Sequence, residues 1–118
     1  MKTDLTTEQS QHLIELGVPK EKASEIIKVF DEDDTLFYTQ PVFKLDDFLK
    51  RDILPKEIED QDKGWWLELS IQYSARQQIW FVEYHTISGR EVSFTKFSEE
   101  LIDALYQLVC WYYGVFKK

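Results

Sequence analysis

Two histidines, one cysteine and a run of carboxylates are the side chains of this 118-residue chain that could do chemistry. Glu83 and His85 are two residues apart, so on an extended strand they point to the same face and resemble a general acid–base pair. A serine on a neighbouring strand, Ser70 or Ser93, would complete such a site. Polar residues near strand ends often fall into this arrangement by chance. We therefore expect no catalytic residue and no enzymatic activity, and an enzyme that uses His85 and Glu83 is a third alternative function.

The densest carboxylate cluster is Asp31–Asp34. A calcium loop of the EF-hand type that starts at Asp31 needs Gly at its sixth position and Glu at its twelfth, where this chain has Leu36 and Val42. Neither histidine has the spacing of a zinc ligand pair. We expect a solvated turn at this cluster and no metal site.

Cys110 is the single cysteine, which excludes an internal disulfide and a zinc site with several cysteines. Its apolar neighbours predict a buried, unreactive thiol, since reactive cysteines need a positive and partly exposed setting. The chain has four glycines and none of the glycine-rich phosphate or nucleophile motifs. No cofactor is predicted.

The formal net charge is −8, and residues 1–63 carry −7 of it. Such acidity argues against binding a nucleic-acid backbone or an anionic membrane, both of which need clustered Lys and Arg. An acidic nucleic-acid mimic that inhibits a DNA-binding protein remains an alternative function. The N-terminus lacks the apolar segment of a signal peptide, and the apolar run 104–116 is too short to span a bilayer. We expect a cytoplasmic protein.

The elements that must position these residues lie mainly in the second half of the chain. Leu101, Leu105 and Leu108 repeat at helical spacing within 97–116, and Ser98 is the expected N-cap of this long helix. Apolar and polar residues alternate over 65–73, 78–85 and 91–95, which predicts three strands. Turns at 74–77 and at Ser88–Gly89 would join them. The pattern predicts an α+β fold in which one face of a three-stranded antiparallel meander carries the C-terminal helix.

The first half of the chain predicts two or three short helices. Thr6 and Gln9 have the spacing of a capping box, and Gly17 is a natural end for the helix that they begin. The remaining segments of this half are a second helix over 20–30, an extended segment over 36–43, a third helix over 45–49 and a mobile connector over 56–63. Together we expect a single domain, 1–118, with an acidic helical half (1–63) and a meander-plus-helix half (64–118).

Several short motifs occur in order over most of the chain: Leu16–Val18, Lys22–Ser24, Phe43–Leu49, Leu54–Pro55, Phe97–Tyr106 and Cys110–Trp111. In these motifs the chain resembles a group of small proteins encoded by prophages and mobile elements of gut bacteria. The resemblance implies an origin in a mobile element, and it implies no catalytic residues.

Aromatic residues are too numerous for one small core. If Leu67 and Leu69 point inward, Trp66 points outward, and the second predicted strand turns Ile79 and Phe81 outward in the same way. We expect the early helices to cover this second face, and a partner protein or a second copy of the chain is the alternative. The possible partner surface consists of Trp66, Ile79, Phe81, Trp111 and Tyr113. Exposed aromatic residues favour a non-enzymatic protein-interaction module.

Overall fold

The structure, a computed structural model, describes residues 1–87 and 92–117. The predicted turn at Ser88–Gly89 and the predicted strand start at Glu91 lie outside the described residues. The elements in chain order are α1 (Thr7–Leu16), a 3-10 turn (Lys20–Lys22), β1 (Glu25–Phe30), β2 (Leu36–Val42), α2 (Leu45–Lys50), β3 (Glu57–Asp60), β4 (Trp65–Ser74), β5 (Ile79–Thr86), β6 (Val92–Ser98), α3 (Leu101–Trp111) and a π-helical turn (Tyr112–Phe116). The α+β class is confirmed.

The strands form two antiparallel sheets: a four-stranded meander in the order β3-β4-β5-β6, and a separate hairpin of β1 and β2. The prediction of a three-stranded meander is wrong because the segment 56–63, expected to be a mobile connector, contains β3. Ile58 is the residue of β3 that points into the core, and it pairs with Leu67 of β4. The neighbours of this single inward residue are charged, so the segment lacks the alternation of several apolar and polar residues that would predict a strand.

The predicted second helix over 20–30 is also wrong. Only the 3-10 turn follows Pro19, and the chain then enters β1, whose β-branched and aromatic residues favour a pleated strand. The acidic turn provides the reversal: Asp31 Oδ1 accepts hydrogen bonds from the backbone N–H groups of Asp33 and Thr35, each at 2.9 Å. Asp34 adopts the left-handed conformation with φ 59° that closes the hairpin.

Helix α3 covers one face of the meander, as its apolar spacing predicts. Leu101, Leu105 and Leu108 are buried, and α3 contacts β5 and β6. The predicted N-cap is wrong, because Ser98 is the last residue of β6 and the helix begins after Glu100. No helix within 1–87 and 92–117 has the length and apolar character needed to cross a membrane.

The first helix agrees with its predicted signals. Thr6 Oγ1 accepts from the Gln9 N–H at 3.1 Å while the Gln9 side chain accepts from the Thr6 N–H at 3.0 Å, and Gly17 ends the helix in the left-handed conformation. Helix α1 packs against α3 and β2. The predicted third helix is confirmed as α2.

A buried carboxylate joins the start of β1 to α2. Asp47 is 1% exposed, and its Oδ2 accepts hydrogen bonds from the backbone N–H groups of Lys44 (2.8 Å) and Ser24 (3.1 Å). The Arg51 Nε lies 3.4 Å from the other oxygen. A buried charge with several donors fixes the relative position of the segments that it bonds.

We expect Asp47→Ala to lower the free energy of unfolding by about 3 kcal/mol, because it removes the charged acceptor of two backbone N–H groups and the ion-pair partner of Arg51. Urea unfolding followed by circular dichroism measures this loss. Asp46→Ala, which changes the exposed neighbouring carboxylate, is the matched control and should shift stability by no more than about 0.5 kcal/mol. Equal effects of the two substitutions would contradict this assignment.

Tyr84 lies in the centre of the core, fully buried, and its hydroxyl donates a 2.6 Å hydrogen bond to the Pro55 carbonyl oxygen. Burial raises the pKa of the Tyr84 phenol well above its ordinary value. The folded protein therefore holds the proton more tightly than the unfolded chain does, and this contribution to stability is fully present at neutral pH.

We expect the free energy of unfolding to fall as the pH rises above about 10, where an unfolded tyrosine begins to lose its proton. Urea titrations at a series of alkaline pH values measure the slope. Tyr84→Phe should be less stable than the wild type at neutral pH by about 1 kcal/mol, and its stability should fall less steeply with pH. An unchanged alkaline slope in Tyr84→Phe would show that burial of this phenol is not the cause.

Candidate functional site

The four-stranded sheet has two faces, and only one carries α3. Leu67, Val82 and Tyr84 point towards α3 and are fully buried. Because side chains alternate along a strand, the residues between them lie on the opposite side. We call that side the outer face. Its residues are Glu57 and Glu59 of β3, Trp66, Glu68, Ser70 and Gln72 of β4, Ile79, Phe81, Glu83 and His85 of β5, and Thr95 and Phe97 of β6.

The early helices do not cover the outer face, contrary to the expectation from the sequence. Trp66 is 53% exposed and Phe97 is 58% exposed. Helix α1 packs on α3 and β2, and β1, which takes the place of most of the predicted second helix, pairs with β2. The outer face therefore presents large apolar side chains to solvent.

The large apolar residues of the outer face lie at its two ends. Phe81 is directly opposite Phe97, with ring centroids 5.9 Å apart, and Ile79 lies two residues along the same strand. Trp66 lies on the same face near the other end, six residues along β4 from the position that pairs with Phe81, which is roughly 20 Å away. The structure thus places three of the five predicted partner residues on one face, and it adds Phe97.

The other two predicted partner residues, Trp111 and Tyr113, lie on the helix side of the sheet. The Trp111 ring stacks on Phe94 with centroids 4.0 Å apart, and it also contacts Phe116. The Tyr113 hydroxyl donates to the Ile53 carbonyl oxygen at 3.1 Å. Both side chains are therefore packed against other parts of the same chain, and neither adjoins the outer face.

The Trp66 end of the outer face is acidic. Glu59 is directly opposite Trp66, and Glu57 is directly opposite Glu68, so three exposed carboxylates surround one exposed indole. Like charges directly opposite each other on neighbouring strands are destabilising. Among the described residues, no ion pair involves any of these three glutamates. This end is therefore suited to a cationic group, which would meet carboxylates and an aromatic ring together.

Glu83 and His85 share the outer face, as predicted, and their side chains have different surroundings. Glu83 is only 7% exposed, between Ser70 and Thr95 on the neighbouring strands. His85 Nδ1 lies 2.8 Å from the Thr86 carbonyl oxygen, which requires the proton to be on Nδ1 in that contact. Within residues 1–87 and 92–117, no hydrogen bond links Glu83 to His85.

The remaining chemical candidates are far from this face or engaged elsewhere. Asp31 accepts hydrogen bonds within its own turn. Cys110 is half-buried on α3, and burial raises the pKa of its thiol, so the nucleophilic thiolate is disfavoured at neutral pH. Across the described part of the chain, no group of three His, Cys, Asp or Glu side chains is arranged to hold a metal ion.

Comparison of the chain with protein-family models, with curated proteins and with solved structures finds no match. Interpretation of the outer face therefore rests on its own residues.

If Glu57 and Glu68 repel each other across β3 and β4, Glu57→Gln should raise the free energy of unfolding by about 0.5 kcal/mol. The matched control is Glu59→Gln, which makes the same change on the same strand opposite the uncharged Trp66. Thermal and urea unfolding at low salt measure both variants. A stabilisation of equal size in the two variants would indicate a general reduction of net charge instead.

Proposed function

We propose that this chain is a non-enzymatic protein-interaction module that binds a partner protein through the outer face of its four-stranded sheet. The observation that carries the proposal is the exposure of Trp66 and Phe97 on a face that no other element of the described chain covers. Tryptophan and other aromatic residues are enriched at the positions that contribute most to protein–protein binding.

The two ends of the outer face indicate the chemistry of the partner. At one end, Ile79, Phe81 and Phe97 form an apolar group that fits aliphatic or aromatic side chains. At the other end, Trp66 among three glutamates fits a Lys or Arg side chain, which would lie over the indole and pair with the carboxylates. The separation of roughly 20 Å between the ends is within the span of a standard interface.

The nucleic-acid mimic remains the second candidate, and the acidic N-terminal half gives it less support. Asp47 is buried and bonded within the protein, so it adds no charge to a surface. Other carboxylates of this half face lysines: Lys44 Nζ is 2.9 Å from Glu25, and Lys50 Nζ is 3.8 Å from Asp46. A mimic of nucleic-acid phosphates needs a surface on which all charges are negative.

We also propose, from the sequence alone, that the protein is cytoplasmic and that a mobile element encodes it.

We expect Trp66→Ala to weaken binding of the partner by at least about tenfold, as for a tryptophan that contributes strongly to a protein–protein contact. A partner captured from a bacterial lysate would first be identified by mass spectrometry and purified. Its affinity for each variant would then be measured by calorimetry. Because carboxylates contribute, binding should also weaken as salt concentration rises.

The matched control is Trp65→Ala, which removes the same side chain one residue earlier in β4, on the other side of the strand. Trp65→Ala should bind the partner as the wild type does. Circular dichroism and thermal unfolding establish that both variants are folded. Equal loss of affinity in both variants, or none in Trp66→Ala and Phe97→Ala, would exclude the outer face as the binding surface.

A further inference from the structure

The β1–β2 hairpin is an apolar two-stranded ribbon with one open edge. Ile26 is 60% exposed and Phe30 is 53% exposed, and Leu36 on β2 is half exposed. Among the strands of the described residues, β1 pairs with β2 alone. Helix α1 packs against β2, and no third strand lies beside β1 among the described residues. The exposed apolar residues of β1 thus lie next to an unpaired strand edge.

The two edges of the ribbon are not equivalent. The N-terminal segment occupies the end of β2, where Leu5 N–H donates to the Phe43 carbonyl at 3.0 Å, and the Gln40 side chain donates to the Thr7 carbonyl at 2.7 Å. Pro41 within β2 has no N–H to offer. Strand β1 contains no proline and carries Ile26, Ile27, Val29 and Phe30. The edge of β1 is therefore the one that can accept another strand.

From this geometry we infer that β1 pairs antiparallel with β1 of a second copy of the chain, centred on Ile27, so that the two ribbons form one four-stranded sheet. This contact uses residues of β1, none of which belongs to the outer face of the proposed function.

Charge favours a second copy as the occupant of this edge. Antiparallel pairing of β1 with itself places the turn after Phe30 beside the segment before Glu25 of the second copy. The turn carries four carboxylates in Asp31–Asp34, and the opposing segment Lys20–Lys22 carries two lysines and Glu21, a net charge of +1. A two-fold axis repeats this pairing of opposite charges at both ends of the junction.

The charge of Lys28 determines which residue of β1 lies opposite itself in the pair of strands. In an antiparallel pair of strands, residues that lie opposite each other point to the same face of the sheet. A two-fold axis perpendicular to the sheet therefore places one residue of β1 directly opposite the same residue of the second copy. Centring on Lys28 would oppose two lysines, which is destabilising. Centring on Ile27 instead places Lys28 opposite Ile26 of the second copy. Glu25 then lies opposite Val29, and its charge is already balanced by Lys44 at 2.9 Å.

The first experiment measures the mass of the full chain by light scattering during gel filtration, with Ile26→Lys as the test variant. The wild type should be a dimer, with twice the 14.2 kDa mass of the chain. Ile26→Lys places a lysine opposite Lys28 of the second copy and should raise the dissociation constant at least about tenfold. Since Ile26 is exposed, this variant should keep the wild-type circular dichroism spectrum, which shows that the chain is still folded.

The charge-reversed double variant is the decisive control. Ile26→Lys combined with Lys28→Glu restores opposite charges across the junction and should return the dissociation constant close to that of the wild type. A wild type that is monomeric at about 100 μM would overturn the inference, because a contact that weak is not a stable assembly. A dimer whose dissociation constant is unchanged by Ile26→Lys would overturn it as well.

Cysteine cross-linking tests the register in a Cys110→Ser background. Ile27→Cys should form a disulfide-linked dimer on oxidation, since directly opposed residues have Cα atoms about 5 Å apart. Lys28→Cys should cross-link much less, because the two copies of residue 28 are diagonal neighbours about 7–8 Å apart. Efficient cross-linking of Lys28→Cys with none of Ile27→Cys would exclude the proposed register.

Discussion

The packing of α3 on β5 and β6 decides which surfaces of this molecule are buried. Leu105, Leu108 and Val109 are fully buried against the sheet, and α3 continues into a π-helical turn whose aromatic residues pack on the same side. The chain has one such helix among its described residues, because α1 lies against α3 and β2 and α2 has only six residues. One apolar helix can cover one face of a four-stranded sheet. The outer face is exposed as a direct consequence.

The sequence predicted the elements whose apolar residues repeat over a long stretch. Strands β4 and β5 and helix α3 have eight or more residues each, so one period is clear in each of them. Residues 25–30 were misassigned because Ile26, Ile27 and Phe30 also fit a helical spacing over so short a segment. Strand β3 was missed because it has one inward residue, Ile58, and a single residue shows no period.

The candidate surface was predicted in part for the same reasons. Alternation along β4 and β5 was enough to assign Trp66, Ile79 and Phe81 to one face. Phe97 was missed because it was assigned to the start of the final helix, although Thr95 and Phe97 continue the alternation of β6 as far as Ser98. The sequence did not indicate on which side of the sheet Trp111 lies. The direction in which a helix residue points depends on where the helix lies, and that cannot be derived from its spacing alone.

The carboxylates of the chain fall into two groups: some bond to neighbouring elements, and others have no ion-pair partner in the described chain. Asp47 accepts two backbone hydrogen bonds, Glu25 pairs with Lys44, and Asp103 pairs with Lys2 at 2.8 Å. These three acids stabilise junctions between elements. Glu57 and Glu68, by contrast, oppose each other without an ion-pair partner in the described chain. A folded domain gains nothing from such a pair, whereas a cationic partner would convert the repulsion into attraction. The acidic end of the outer face and its exposed indole thus favour the same kind of ligand.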